Sequence, residues 1–175
     1  LNWSDVGWVH FFSKEPARTL DDIREMKLFT SAGDPETERL YRQFGFNPIP
    51  MPVTDMVPNL TTGLINAFDV PPLFALSGQS FGLAKNMVEV KWAALIGATV
   101  ISKTTWERIP ADLRPKLLEA ARTAADRFRD DIRRMGEEAI TEMKKRGLKV
   151  VSVDEELQKD WQSEADAAYP EIRGS

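Results

Sequence analysis

The stretch that decides the fold runs from Ala111 to Arg146 and reads ADLRPKLLEAARTAADRFRDDIRRMGEEAITEMKKR. Its apolar side chains recur at helical spacing: Leu113, Leu117, Ala120, Ala124, Phe128, Ile132, Met135, Ala139 and Met143. The pattern predicts one long amphipathic helix of about 50 Å, whereas a domain of this size is roughly 40 Å across. The helix must therefore overrun its own domain or bend at Gly136. If it overruns, a missing part of the protein or a partner chain must cover its apolar stripe.

Strand and helix patterns alternate in the rest of the chain. Trp3 to Phe12 is rich in aromatic and β-branched residues, which predicts a strand. Asp34-Pro35 is a capping carboxylate followed by proline and predicts a helix start, with Gly45 ending the helix. We also expect strands over 26–30, 64–70, 87–92, 95–102 and 149–153, helices over 54–63 and 71–85, and a last helix over 154–169. This order predicts an α/β fold with a mixed or largely parallel sheet flanked by helices.

Composition removes several classes of function. The 175 residues are 42% hydrophobic and 29% charged, as is usual for a globular protein. A net charge of -4 disfavours a nucleic-acid partner, which needs a concentrated basic surface. With no cysteine and one histidine, His10, the chain has no thiol nucleophile and no histidine cluster for a metal. We therefore predict a protein that is not an enzyme, without catalytic residues, metal or cofactor.

Six segments carry a family resemblance when they are taken in order. They are Gly7–Phe11 (GWVHF), Leu20–Leu28 (LDDIREMKL), Phe44–Met51 (FGFNPIPM), Thr54–Ala67, Thr105–Leu113 (TWERIPADL) and Gly147–Val150 (GLKV). The series resembles the solute-binding proteins of TRAP (tripartite ATP-independent periplasmic) transporters and covers nearly the whole chain. Members of that family have two α/β lobes joined by a hinge, and the ligand is enclosed between them.

The resemblance covers only the later part of such a receptor. It implies that residues 1–175 form a single lobe, the second-lobe region, with a hinge strand over about 3–12 and a spanning helix over about 111–146. The chain begins at Leu1 rather than Met, which fits a processed chain or a fragment. The implied function is that of a periplasmic, extracytoplasmic subunit that captures a small solute and delivers it to the TRAP membrane permease. The implied solute is an organic acid or a more hydrophobic molecule.

The residues at the family's ligand positions depart from its pattern in one direction. The arginine that clamps a ligand carboxylate corresponds to Phe29, and a second arginine on the hinge strand corresponds to Val9. The aromatic residue after the proline-rich strand corresponds to Val53, and a common asparagine corresponds to Val70. An apolar wall cannot offset the desolvation of a carboxylate. We therefore predict a ligand with a ring or alkyl body, and any carboxylate would need its partner from the missing lobe.

Three further residues complete the predicted ligand site. Asp69 lies where the family often has an acid, which in one subgroup helps to bind calcium; alone it supplies one ligand, so we predict no metal here. Trp8 and Trp92 are amphipathic, and their N–H groups can bond a ligand. A half-buried structural role is the alternative for both tryptophans. His10 alternates with Val9 along the strand, and we expect it to be a structural histidine.

Two other classes of function stay open on the sequence alone. One is a stand-alone α/β enzyme or sensor domain, whose chemistry would have to rest on carboxylates and lysines. The other is an interaction module in which the uncovered long helix forms a homodimer.

Overall fold

The computed structural model describes residues 1–173. Its strands are β1 (Asn2–Ser13), β2 (Lys27–Ser31), β3 (Asn47–Met51), β4 (Ala67–Val70), β5 (Asn86–Val88), β6 (Ala93–Thr99) and β7 (Lys149–Val151). Its helices are α1 (Leu20–Arg24), α2 (Pro35–Gln43), α3 (Met56–Thr62), α4 (Pro72–Ser77), α5 (Lys103–Arg108), α6 (Arg114–Lys145) and α7 (Glu155–Arg173). Among the described helices, none is long and apolar enough to cross a membrane.

The strands form one mixed sheet in the order β3-β2-β4-β1-β5-β7, and β6 pairs with β1 beside this path. β2 runs parallel to β3 and β4, and β5 runs parallel to β7. β1 is antiparallel to β4, β5 and β6. The predicted α/β fold with a mixed sheet is therefore confirmed.

The long strand β1 has two halves with different neighbours. Its residues 10–13 pair with β4, and residues 12–13 also pair with β5. Its residues 2–9 pair with β6 alone, in a ladder whose register shifts between Asp5 and Gly7. Gly7 has φ +109°, a conformation that glycine adopts readily. Its N–H donates to the Asp5 carboxylate at 2.8 Å, which stabilises the bulge.

Helices cover both faces of the sheet because successive side chains of a strand point in opposite directions. Phe12 belongs to a core cluster with residues of α3, α4 and the end of α6, including Leu60, Ala75 and Met143. Phe11 belongs to the opposite cluster with residues of α1, α2 and α7, including Ile23, Tyr41 and Trp161. The result is a three-layer arrangement with the sheet in the middle.

The helix α6 is continuous over 32 residues, which corresponds to about 48 Å. It begins three residues later than predicted, with Pro115 in its first turn, where a missing N–H costs little. Only Ala139 and Met143, near its C-terminal end, are buried. Phe128 in its middle is half exposed. Of the two alternatives, an overrun or a bend at Gly136, the unbroken helix with its exposed middle supports the overrun.

Several local predictions are wrong in their bounds. The strands expected over 87–92 and 95–102 are instead β5 and β6, and Ala93 pairs with Val9. The helix expected over 71–85 is the shorter α4, followed by a 3-10 turn over 80–82. Ser102, expected in a strand, caps α5 by accepting the Thr105 N–H at 3.2 Å, and no pattern predicted this helix. Residues 53–55 form a 3-10 turn, so the third helix begins at Met56 rather than after a Thr54 cap.

Candidate functional site

An open cleft lies at the carboxyl ends of the parallel strands β2 and β4 and extends toward β6. It encloses about 650 Å³, within the range of about 300–1,000 Å³ that small-molecule sites occupy. Five of the seven predicted ligand residues line it together: Val9, Phe29, Val53, Asp69 and Val70. The cleft is where ligands bind in open α/β sheets, outside the carboxyl ends of the strands.

Strand register brings these residues together. Leu28 of β2 pairs with Ala67 of β4 in parallel, so two residues farther on Thr30 and Asp69 are neighbours on one face. Phe29 and Val70 approach the same cleft from the other face of the sheet. β1 runs in the opposite direction and places Val9 beyond the end of β4.

One wall of the cleft is apolar, from the buried Phe29 to the exposed rim. Phe29 is buried and belongs to the core cluster that also contains Met56. At the rim, Val53 is 63% exposed and Phe74 is 50% exposed. Such a group of exposed apolar side chains is typical of a surface that a ligand or another part of the protein covers.

Tyr41 and Asp69 form a polar part of the floor, and Trp92 bonds Tyr41 from outside the cleft. The Tyr41 hydroxyl donates to Asp69 Oδ2 at 2.8 Å, and the Trp92 indole N–H donates to the Tyr41 hydroxyl at 3.1 Å. Burial raises the pKa of Asp69 to about 7, although the bond from Tyr41 acts in the opposite direction. Burial, together with the nearby Asp69 carboxyl, also raises the pKa of Tyr41 well above its ordinary value. The Tyr41 hydroxyl therefore keeps its proton and donates it to Asp69, while the bond from Trp92 fixes its position.

Thr30 supplies a second polar group. It is only 3% exposed, and among the described residues its hydroxyl has no hydrogen-bond partner. A buried hydroxyl without a partner costs roughly 1–3 kcal/mol. The lining also contains Asp34, but that carboxylate caps α2 through the Thr37 N–H and hydroxyl at 3.1 and 2.7 Å.

The charge of the cleft is one-sided. Its described lining residues include two acids, Asp34 and Asp69, and no lysine, arginine or histidine. Within residues 1–173, no three acidic or histidine side chains come together in a way that would hold a metal ion.

The two predicted tryptophans do not line the cleft. Trp8 contacts two smaller hollows between β1 and α6, and Lys91 Nζ lies 5.7 Å from its ring centroid. Trp92 packs against Phe11 and Trp161, with ring centroids 5.4 and 5.6 Å apart, and reaches the cleft only through Tyr41.

His10 is buried, and its Nδ1 lies 3.2 Å from the Val88 carbonyl oxygen. Burial lowers the pKa of His10. The histidine therefore has the structural environment that we expected.

Sequence reasoning missed Thr30, Thr37, Tyr41 and Phe74. One signal was available: Thr37 and Tyr41 are four residues apart on α2 and therefore share a face of it. The apolar pair Leu40 and Phe44 drew attention to a neighbouring face, which lines a separate apolar hollow of about 500 Å³ against α7. Tyr41 borders both spaces.

Comparison with known proteins places this geometry in a family. Residues 1–174 match the family model described as bacterial extracellular solute-binding protein, family 7. The chain is 26% identical over 153 residues to the 2,3-diketo-L-gulonate-binding periplasmic protein YiaO of Escherichia coli K12. That match covers 87% of this chain and 46% of the relative.

Solved structures show the same fold. A TRAP periplasmic solute-binding protein from Desulfovibrio desulfuricans with bound sn-glycerol-3-phosphate superposes with a TM-score of 0.85 at 20% identity. That match covers 99% of this chain and 55% of the other. The periplasmic ectoine-binding protein of the TeaABC TRAP transporter of Halomonas elongata gives a TM-score of 0.84 at 20% identity, over 98% of this chain and 56% of the other. The chain thus spans about half the length of the relatives it matches.

Proposed function

The chain belongs to the bacterial extracellular solute-binding protein family 7, and we propose that it forms the second-lobe region of a periplasmic receptor for a TRAP-type transporter. In this proposal the receptor captures a small solute outside the cytoplasm and delivers it to the membrane permease. The second lobe spans residues 1–175, with a hinge strand over about 3–12 and the spanning helix α6.

One observation carries the proposal. Five residues from four elements line one open cleft at the carboxyl ends of β2 and β4: Val9, Phe29, Val53, Asp69 and Val70. These are the positions that the family resemblance assigns to ligand. Val53 and Phe74 are exposed at the rim of the cleft. Exposed apolar side chains of this kind favour contact with a ligand or with another part of the protein.

The mechanism that fits this geometry is closure of two lobes over the solute. Ligand stabilises the closed state by making contacts that the open state lacks. Two elements extend beyond the sheet and are suited to connect the lobes: the β1–β6 ladder and the N-terminal part of α6. This lobe alone supplies about half of the contacts, so we expect it to bind solute weakly.

No covalent chemistry is needed for this function, and the cleft offers little support for any. Of its described acids, Asp34 is committed to the cap of α2, and Asp69 is bonded to Tyr41. An enzyme site would instead bring a nucleophile within hydrogen-bond reach of a base.

The solute class follows from the lining. We expected an organic acid or a more hydrophobic solute, and the apolar walls favour the hydrophobic one. A carboxylate would find no described cation in this cleft, so its counter-charge would have to come from residues outside the chain.

The proposal is tested on the complete receptor that contains this chain. A thermal-shift screen against organic acids and aromatic metabolites identifies a stabilising solute, and small-angle scattering then measures whether that solute makes the receptor more compact. We expect stabilisation with a smaller radius of gyration, and binding at least about a hundredfold weaker by the 175-residue chain alone. Turnover of the solute, or binding of equal strength by the chain alone, would contradict the proposal.

Phe29→Arg tests the position of the lost clamp. A guanidinium at this position has the geometry to pair with both oxygens of a carboxylate. We expect calorimetry on the complete receptor to show a gain in affinity for simple carboxylates, with Phe29→Met as the control that adds no charge. No gain, in a variant whose circular dichroism is unchanged, would mean that Phe29 does not face the ligand.

A further inference from the structure

The polar groups of the cleft indicate which chemistry the solute presents to this lobe. The argument rests on the proposed function only in taking the cleft as the solute site. We propose that Thr30 and Asp69 form the polar end of this site and that the solute is a neutral or cationic molecule with an N–H or O–H donor on a ring or alkyl body.

The first support is the position of the two side chains. Both lie at the carboxyl ends of adjacent parallel strands, on the same face, and both line the cleft. Tyr41 holds Asp69 Oδ2 from the helix side, which fixes the orientation of the carboxyl group. A solute in the cleft lies beyond the carboxyl ends of β2 and β4, where both side chains line the space.

The second support is the unpartnered Thr30 hydroxyl. The side chain is 97% buried, with 3% exposed, and within residues 1–173 its Oγ1 has no hydrogen-bond partner. Valine has nearly the same shape and would remove this penalty, so the hydroxyl is a cost to the unliganded lobe. Oγ1 itself is buried, so a solute bonds it only where the side chains that cover it shift, and such a bond would convert the cost into affinity.

The third support is charge. The described lining contains Asp34 and Asp69 and no basic side chain, so an anionic solute would be repelled and left without a counter-ion. A cation would be attracted, and a neutral donor would bond the Asp69 carboxyl without repulsion. Burial raises the pKa of Asp69 to about 7, and a cation beside the carboxyl would act in the opposite direction.

The test uses three probes of nearly equal shape on the 175-residue chain: phenethylamine, phenylacetamide and phenylacetate. They present a cation, a neutral amide and an anion on the same ring. Backbone amide chemical shifts in two-dimensional NMR report weak binding and its location. We expect saturable shifts around Thr30 and Asp69 with the first two probes, and binding of phenylacetate at least about tenfold weaker.

Two variants and one control separate a ligand role from a structural role. Thr30→Val should weaken both favoured probes about fivefold to tenfold while leaving the thermal midpoint unchanged or higher. Asp69→Asn should weaken phenethylamine more than phenylacetamide, because the variant lacks the carboxylate that attracts a cation. Ser80 is also buried with an unpartnered hydroxyl, but it does not line the cleft. Ser80→Ala should therefore leave the binding of every probe unchanged.

The outcome that overturns the inference is phenylacetate binding as tightly as the other probes. Shifts in the cleft that Thr30→Val and Asp69→Asn do not alter would overturn it too, as would the absence of saturable shifts with all three probes. These results would leave the closure of the complete receptor around a solute untouched, because that closure is measured separately by scattering.

Discussion

The two halves of β1 belong to one strand but lie in opposite environments. In the half that ends at Ser13, Phe11 and Phe12 are fully buried, with β4 and β5 beside them and helices on both faces. In the half that begins at Asn2, Trp3 is 77% exposed, and its partner strand β6 exposes Ile96. Both halves are rich in apolar residues, so hydrophobicity does not explain the difference.

What differs is the number of covering layers. The buried half is the centre of a finished sheet, whereas the exposed half is a two-stranded ladder with the middle of α6 beside it. A two-stranded ladder is only marginally stable on its own. The comparison therefore separates a region with a finished core from a region whose apolar surface, in the proposed receptor, would form an interface with the other lobe.

The largest expected effect comes from the buried region. Phe68 is fully buried and stacks on Phe12 with ring centroids 5.2 Å apart. Phe68→Ala should lower the free energy of unfolding by about 3–5 kcal/mol. Phe128→Ala, the same change on the exposed part of α6, should change it by less than about 0.5 kcal/mol. Urea unfolding followed by circular dichroism gives both values.

Equal losses in the two variants would break the comparison. They would mean that the exposed part of α6 is covered in solution, as the predicted homodimer would require. Light scattering at several concentrations would then show a mass twice that of the chain.

The second largest effect on stability is expected at Asp69. This residue lies in the same buried region, because it pairs with Phe11 across the sheet. Its pKa is raised from 3.8 to about 7 in the folded chain, so the folded state binds the proton more tightly than the unfolded state. The associated stability is fully present below pH 4 and is lost as the pH rises toward 7. A full shift of this size is worth about 4 kcal/mol, and partial contact with solvent reduces it, so we expect about 2–3 kcal/mol.

Asp69→Asn removes this titration. Urea unfolding between pH 4 and pH 8 should show the wild-type chain losing stability relative to the variant across that window. His10, whose pKa is lowered by burial, titrates in both proteins and therefore cancels in the difference. If the free energies of unfolding of the two proteins ran parallel from pH 4 to pH 8, Asp69 would titrate at its ordinary pKa and its carboxyl would be well solvated.

Gly7 lies at the bulge within the half of β1 that pairs with β6, and its substitution should give an intermediate effect. An added Cβ would have ordinary contacts with Pro71 and Ile132 at 3.5 and 3.6 Å, so space is available and the cost is conformational. At φ +109° this cost is about 1–3 kcal/mol for Gly7→Ala. Gly136→Ala inside α6, where the Cβ meets nothing within 4 Å, should instead gain roughly 0.5–1 kcal/mol. Thermal unfolding of the pair should show shifts of opposite sign.

The sequence predicted best where local chemistry sets the structure. Asp34 and Pro35 start α2 as expected, because a carboxylate cap and a proline act on their own neighbours. The apolar stripe that predicted α6 is also a local pattern, because its residues recur at helical spacing along one segment. The site positions Phe29, Val53 and Val70 came from the family resemblance, because no local pattern distinguishes a pocket valine from a core valine.

The sequence predicted least where distant segments decide. Thr30 becomes a cleft residue only because β2 and β4 pair in parallel with Leu28 beside Ala67. The indole N–H of Trp92 is committed to Tyr41, a contact between residues 51 positions apart. Side-chain roles of this kind follow from strand register and helix docking, which a single sequence does not display.

The smallest expected effect on stability concerns the exposed half of β1 and tests how firmly this half is attached to α6. Arg133 of α6 bonds the Asp5 carboxylate of β1 at 2.9 Å, with the arginine half exposed. Exposed ion pairs contribute about 0–1 kcal/mol because water and salt screen them. Arg133→Gln should therefore change the free energy of unfolding by less than about 1 kcal/mol, and less still in high salt.

Hydrogen exchange is the sharper measurement for this variant. Arg133 joins two elements, so its loss should speed amide exchange in residues 2–6 of β1 and in β6, while residues 10–13 stay protected. Arg134 is the matched control, because it pairs with Asp131 and Glu138 inside α6 alone. If Arg134→Gln loosened the β1–β6 ladder as much as Arg133→Gln, the ladder would be held by the helix as a whole. The exposed half would then move with α6 as one body, and in the proposed receptor any closure would have to bend β1 on the sheet side of Gly7.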